Sequence, residues 1–151
     1  GNLKDDKVYI DGNRIQVGGM ALGRLDEGII LLDAPRLRQV VAYLAPEQVL
    51  GQPIDARTDL YALGVVLYQL FSGHCPFRGD EGEILQAHLD QAPLPLRDFQ
   101  AHISSSLDHL ILKLLAKNPA DRYDSATAVR RILQALNARP AGYKGDEPRA
   151  N

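Results

Sequence analysis

The sequence predicts a mainly helical fold of the α+β class, with one short β-hairpin near the N-terminus. Residues 59–73 are apolar on nearly every side when wound as a helix, so we expect a central helix enclosed by other elements. Two amphipathic helices are predicted downstream, one opened by the serines at 104–106 and one by Ser125. The hairpin is predicted at 7–17, where two β-prone triplets flank the turn Asp-Gly-Asn.

The central helix has recognisable start and stop signals. Thr58 or Asp59 is the predicted N-cap, and Gly73 is the predicted C-terminal stop. The helix is shorter than the ~20 apolar residues that span a bilayer, so we expect a buried core helix. Asp59 has two interpretations: it caps the helix, or its carboxylate holds a neighbouring loop by accepting backbone N–H bonds.

The remaining elements are less regular. No capped helix can be written for 24–43, and we expect an irregular loop there with at most a short strand at 29–32. A brief helical turn is predicted at 47–50. Asp80 and Glu83 have the spacing of a capping box, which predicts a helix through about His88. The domain is expected to span 1–138, followed by a disordered polar tail at 139–151.

Composition excludes several function classes. The chain has 151 residues, enough for one domain with a real core, and a net charge of −2, so neither nucleic acid nor a membrane surface is an expected partner. A single cysteine and the lack of a visible signal peptide predict a cytoplasmic protein.

Candidate metal and phosphate sites are weak. The histidines at 74, 88, 102 and 109 lack zinc-like spacing, and we favour packing or surface roles for them. Cys75 is predicted to be a small buried hydrophobic residue. Glycines at 18–23 have P-loop separation, but Arg24-Leu25 follows in place of Lys-Ser/Thr, so a P-loop is not favoured.

Four motifs in order resemble the C-terminal lobe of bacterial Ser/Thr protein kinases. They are APE at 45–47, DLYALG at 59–64, SGHCPF at 72–77 and LAKNPADR at 115–122. The resemblance implies a partial kinase domain made of the helical lobe. It also implies that Glu47 pairs with Arg122 to hold the activation segment, and that Asp59 holds the catalytic loop through backbone amides. These three roles are architectural.

The same resemblance implies that the catalytic groups have been replaced. NLKDDK at 2–7 matches the family's Asp-Leu-Lys-Pro-x-Asn, so the catalytic aspartate is Asn2 and a metal-binding asparagine is Lys7. The family's Asp-Phe-Gly matches GMA at 19–21, so its metal-binding aspartate is Gly19. Lys4 matches the family's phosphate-contacting lysine. Lys7 is then either solvated or an ammonium group in the place of a metal ion beneath a nucleotide phosphate.

The activating signals of the family are missing too. No Ser or Thr occurs before Thr58, and Gln39-Val40 replace the family's Gly-Thr, so Ser/Thr phosphorylation cannot switch this segment. No glycine-rich loop or strand lysine precedes Asn2. We therefore expect no cofactor, with ATP and Mg²⁺ bound only if a region outside this chain restores a site.

Three functional hypotheses follow from these observations. The first is a pseudokinase lobe that acts as a protein-interaction, scaffold or regulatory module. The second is a fragment of an ATP-dependent Ser/Thr protein kinase that lacks its N-terminal lobe. The third is a helical structural domain that self-associates. In the first and third, a protein partner or a second copy covers the apolar face around the central helix.

Overall fold

A computed structural model describes residues 8–11, 14–17 and 34–137 of the chain, with side chains from residue 38 onward. Short 3-10 helices lie at Leu96–Asp98 and Pro119–Asp121. The mainly helical prediction is confirmed. The main elements in chain order are strands β1 (Val8–Asp11) and β2 (Arg14–Val17) and helices α1 (Ala34–Val41), α2 (Pro46–Val49), α3 (Ala56–Ser72), α4 (Glu81–Asp90), α5 (Ser105–Leu114) and α6 (Ala126–Asn137).

The two strands form the predicted hairpin. β1 and β2 pair antiparallel, with Val8 opposite Val17 and Asp11 opposite Arg14. The turn residues between them and the predicted strand at 29–32 lie outside the described residues, as does the predicted tail at 139–151.

Helix α3 is the central helix, and it begins earlier than the sequence predicts. Its N-cap is Asp55, whose carboxylate accepts a hydrogen bond from the backbone N–H of Arg57 at 2.7 Å. The prediction of Thr58 or Asp59 as N-cap is therefore wrong, because an earlier aspartate in extended conformation satisfies the first free N–H group. The predicted stop at Gly73 is confirmed, with φ of 80° in the left-handed region that glycine adopts readily.

The core lies between α3 and α5. Both helices contribute fully buried side chains, and α6 adds Val129. The one-face pattern predicted for α5 is confirmed, and Ser104 caps this helix by accepting from the N–H of Leu107. The largest buried side chains of the α3–α5 layer are Tyr61, Val65, Tyr68, Leu110, Ile111 and Leu114.

One face of α3 is not fully covered. It carries four apolar side chains at one-face helical spacing, which we call the Leu70 strip: Leu63, Val66, Leu67 and Leu70. The first three are half-buried, and Leu70 is 71% exposed. Other elements therefore do not fully enclose the central helix on this face.

Helix α1 lies inside the stretch that was expected to be irregular, so that expectation is wrong for 34–41. The described contacts of this helix are with α4. Val40, Val41 and Leu44 are buried against Ile84 of α4, and Arg38 forms an ion pair with Glu81 at 3.2 Å. An eight-residue helix is only marginally stable in water on its own, so packing on α4 stabilises α1.

Helix α4 confirms the capping-box prediction. The N–H of Glu83 donates to the Asp80 side chain at 2.9 Å, and the N–H of Asp80 donates to the Glu83 side chain at 2.8 Å. The helix extends two residues beyond His88, to Asp90. The predicted helical turn near 47–50 corresponds to α2, and the predicted start of α6 at Ser125 agrees with its first residue, Ala126.

The histidines and the cysteine pack in different ways. His102 and His109 are exposed, His74 is half-buried and His88 is fully buried. Cys75 is half-buried against the core, less enclosed than predicted. Within the part of the chain that the structure describes, no helix is long and apolar enough to cross a membrane.

Gly64 provides a test of the α3–α5 contact. A Cβ atom at this position would lie 2.8 Å from Cβ of Leu114 and 3.1 Å from Cδ2 of Leu115. We expect Gly64→Ala to lower the free energy of unfolding by about 1–3 kcal/mol, since overpacking outweighs the gain of about 1 kcal/mol in helix propensity. Urea unfolding followed by circular dichroism measures the change.

Gly82 supplies the matched control for that experiment. It is also a helical glycine, but a Cβ atom there would meet only Asp80 Oδ1, at 3.4 Å. Gly82→Ala should leave stability unchanged or raise it. Equal effects of the two substitutions would contradict a close α3–α5 approach at Gly64.

Candidate functional site

The residues assigned to catalysis by resemblance lie outside the described residues. These are Asn2, Lys4, Lys7 and Gly19, and their roles rest on the sequence alone. Within 34–137, no group of three His, Cys, Asp or Glu side chains could hold a metal ion. At Lys7 and Gly19 the side chains are an ammonium group and a hydrogen atom, neither of which is a ligand for Mg²⁺. That these positions do not form a kinase metal centre stays a prediction from the matched sequence.

The structure brings Glu47 and Arg122 together across 75 residues of sequence. Nη1 of Arg122 donates to Oε1 of Glu47 at 2.7 Å, and Nη2 donates to Oε2 at 2.8 Å. Each residue is only 3% exposed. This is the parallel two-bond geometry that makes arginine–carboxylate pairs strong and specific.

All five guanidinium donors of Arg122 are used. Besides the two bonds to Glu47, Nε donates to the carbonyl of Ala116 at 2.8 Å. Nη1 also donates to the carbonyl of Arg57 at 3.0 Å, and Nη2 to that of Lys117 at 3.1 Å. The side chain thus joins α2, the start of α3 and the turn after α5 at one point. We call this set of contacts the clamp.

Residues of α3 complete the surroundings of the clamp. The hydroxyl of Thr58 donates to Oε1 of Glu47 at 2.8 Å, and the Tyr61 ring lies 4.8 Å from Cζ of Arg122. Burial alone raises the pKa of Glu47, but hydrogen bonds from Arg122, the backbone and Thr58 together hold it below the ordinary value. The carboxylate therefore stays ionised, which a buried two-bond ion pair requires.

Asp59 lies in the first turn of α3 and is half-buried, directly after Thr58. The loop that it is expected to hold, at 2–7, lies outside the described residues. Its role in positioning that loop stays a prediction.

A second buried network borders the clamp, and sequence reasoning missed it. The Tyr61 hydroxyl lies 2.8 Å from Nδ1 of His88. Nζ of Lys117 donates to the carbonyls of Ala87 and His88 at 2.7 and 2.9 Å, near the C-terminal end of α4. Burial lowers the pKa of Lys117 to about 8, an effect that Asp90 opposes and Arg122 increases. No local sequence signal marks these contacts, since they join residues distant along the chain.

Removing Arg122 tests the clamp. Arg122→Met keeps the apolar stem but leaves the Glu47 carboxylate buried without its partner, which we expect to lower the free energy of unfolding by about 3–5 kcal/mol. Denaturant unfolding at neutral pH measures this loss. The control is Arg38→Met, which breaks the exposed Arg38–Glu81 pair and should cost less than about 1 kcal/mol. Similar losses in the two variants would contradict a dominant role for the clamp.

Comparison with known proteins agrees with this architecture. Residues 35–134 match the family described as "Protein kinase domain". The serine/threonine-protein kinase Pkn1 of Myxococcus xanthus is 50% identical over 91% of this chain and 21% of its own length. PknB of Mycolicibacterium smegmatis is 37% identical over 87% of this chain and 22% of its own length.

Structural similarity points the same way. The twitchin kinase region from C. elegans superposes with a TM-score of 0.54 and 28% identity, covering 71% of this chain and 18% of that one. The chain spans about a fifth of the length of the curated relatives named here. It belongs to the protein kinase family, and its sequence relatives are bacterial serine/threonine kinases.

Proposed function

We propose that this chain is a non-catalytic kinase lobe that works by binding protein, as a scaffold or regulatory module. The observation that carries the proposal is a contrast between two sets of residues. The architectural pair Glu47–Arg122 is present with full hydrogen bonding, whereas the positions matched to the catalytic base and to both metal ligands hold Asn2, Lys7 and Gly19.

The replaced groups bear directly on phosphoryl transfer. This reaction depends on positioning the substrate hydroxyl and on Mg²⁺ that neutralises the charge of the phosphates. The neutral amide of Asn2 is not a base, and the positive charge of Lys7 repels a metal ion. A lobe with these substitutions keeps its fold and its surfaces without the groups that the reaction needs.

The binding surface that we propose is the Leu70 strip on α3. Its apolar side chains lie at one-face spacing, and Leu70 is 71% exposed. The other three side chains are half-buried, so the strip is a partly exposed apolar patch, and contiguous patches mark interaction sites more often than single exposed residues do. A protein partner or a second copy of the chain would bury them, and neither nucleic acid nor a membrane is part of the proposal.

A second candidate function is favoured by the identity of 50% to Pkn1, a serine/threonine-protein kinase. In this alternative the chain is part of an active Ser/Thr kinase whose N-terminal lobe, supplied outside residues 1–151, restores an ATP site. Lys4, which matches the phosphate-contacting lysine, would then take part in transfer.

A phosphotransfer assay separates these two functions. The intact protein is incubated with γ-labelled ATP, Mg²⁺ and a general protein substrate, with an active bacterial Ser/Thr kinase as positive control. We expect no transfer above background, because the base and the metal ligands are replaced. Mg²⁺-dependent transfer that Lys4→Ala abolishes, and that Lys113→Ala on α5 does not, would establish the kinase alternative and overturn the proposal.

Light scattering tests the binding surface. If the strip is an interface between copies, the chain forms a dimer at micromolar concentration and Leu70→Lys returns it to a monomer. Leu94→Lys is the control, since Leu94 is also exposed but lies outside the strip. A monodisperse monomer at all concentrations would exclude self-association and leave a different protein as the partner.

A further inference from the structure

His88 is a titratable side chain that the clamp does not use. It lies in α4, is 0% exposed, and its ring packs against two aromatic side chains. The Tyr61 hydroxyl lies 2.8 Å from Nδ1, and the Phe77 ring meets the imidazole edge-on with centroids 5.0 Å apart. Tyr61 belongs to α3, so the hydrogen bond joins α4 to the central helix.

The charged and polar groups around His88 come from several elements. Lys117, in the turn after α5, donates to the carbonyl of His88 itself, which brings an ammonium group close to the ring. From α1 and the residue after it, the carbonyls of Val41 and Ala42 face the imidazole. Glu47 and Arg122 act on Tyr61 from its other side. Nε2 of His88 is buried without a partner of good hydrogen-bond geometry among the described residues.

A second proton on His88 would disturb this arrangement. The neutral ring has one N–H and one acceptor nitrogen, so either tautomer suits the Tyr61 hydroxyl. The imidazolium has only donors, so the Tyr61 oxygen would have to accept from Nδ1 and turn its own hydrogen away from His88. The new charge would also lie near the ammonium of Lys117.

We propose that His88 is an acid-sensitive latch that holds α4 against α3 when its imidazole is neutral and releases α4 when it is protonated. Helix α1 would leave with α4, because Val40, Val41 and Leu44 pack on Ile84. Helix α2 also packs on α4, but the clamp ties Glu47 of α2 to Arg122 and Arg122 to the start of α3, so we expect α2 to stay in place. This inference goes beyond the proposed function and does not depend on whether the domain transfers phosphate.

The pH window follows from the direction of the pKa shift. Burial and the charge of Lys117 lower the pKa of His88 to about 4 from 6.5, against the opposing effect of the Ala42 and Val41 carbonyls. The released state takes up the proton more readily, so docking is fully stable above pH 6.5 and weakens as pH falls toward 4. At pH 5 the ratio of released to docked α4 should rise on the order of 30-fold relative to pH 7.5.

Hydrogen exchange with mass spectrometry tests the latch on the 151-residue chain. Exchange is compared at pH 7.5 and 5.0 after correction for the intrinsic rates. We expect protection in 34–41 and 81–90 to fall by about 10- to 30-fold relative to protection in α5. His88→Gln, which does not titrate, should remove this fall, and His109→Gln, at an exposed position of α5, should leave it unchanged.

A second measurement applies even if His88→Gln does not fold. Nuclear magnetic resonance of the imidazole groups in the unchanged chain should give a pKa of about 4 for His88. A pKa near 6.5 for His88 would overturn the proposal. So would an equal loss of protection in all helices, or a fall in α1 and α4 that persists in His88→Gln.

Discussion

The buried ion pair between Glu47 and Arg122 is the contact on which the rest of this lobe depends. Two charges removed from water are costly, and they are tolerated here because every N–H of the guanidinium has an acceptor. The bonds run to residues 116 and 117 after α5, to Arg57 in α3 and to α2, so three parts of the chain share one side chain. The clamp thereby fixes the positions of these three parts relative to one another.

The clamp and the proposed loss of the catalytic groups define a division within the domain. The residues that preserve the fold are those whose removal would leave a buried charge or a cavity, and they are present as in the family. The positions matched to catalysis, Asn2, Lys7 and Gly19, lie outside the described residues, and their roles rest on the family resemblance. A lobe of this kind can lose its reaction and keep its surfaces, which is the physical basis of the binding role that we propose.

Sequence reasoning succeeded where local interactions decide the structure. The capping box of Asp80 and Glu83, the cap at Ser104 and the stop at Gly73 lie at the ends of the helices that they begin or terminate. Sequence reasoning failed where contacts between residues distant along the chain decide the structure. Helix α1 was not predicted, and its described contacts are those of Val40 and Val41 with α4. The pairing of Glu47 with Arg122 came from family resemblance, and the contacts of His88 with Tyr61 and of Lys117 with α4 have no local signal.

The sequence distance spanned by the clamp has a kinetic consequence. Its two residues are separated by 75 positions, so the pair can close only after α3 and α5 are in place. The long segment between them has then already lost its conformational entropy. We therefore expect this contact to form late and to contribute little to the rate of folding. Its contribution should appear in the rate of unfolding, so that Arg122 mainly prolongs the lifetime of the native state.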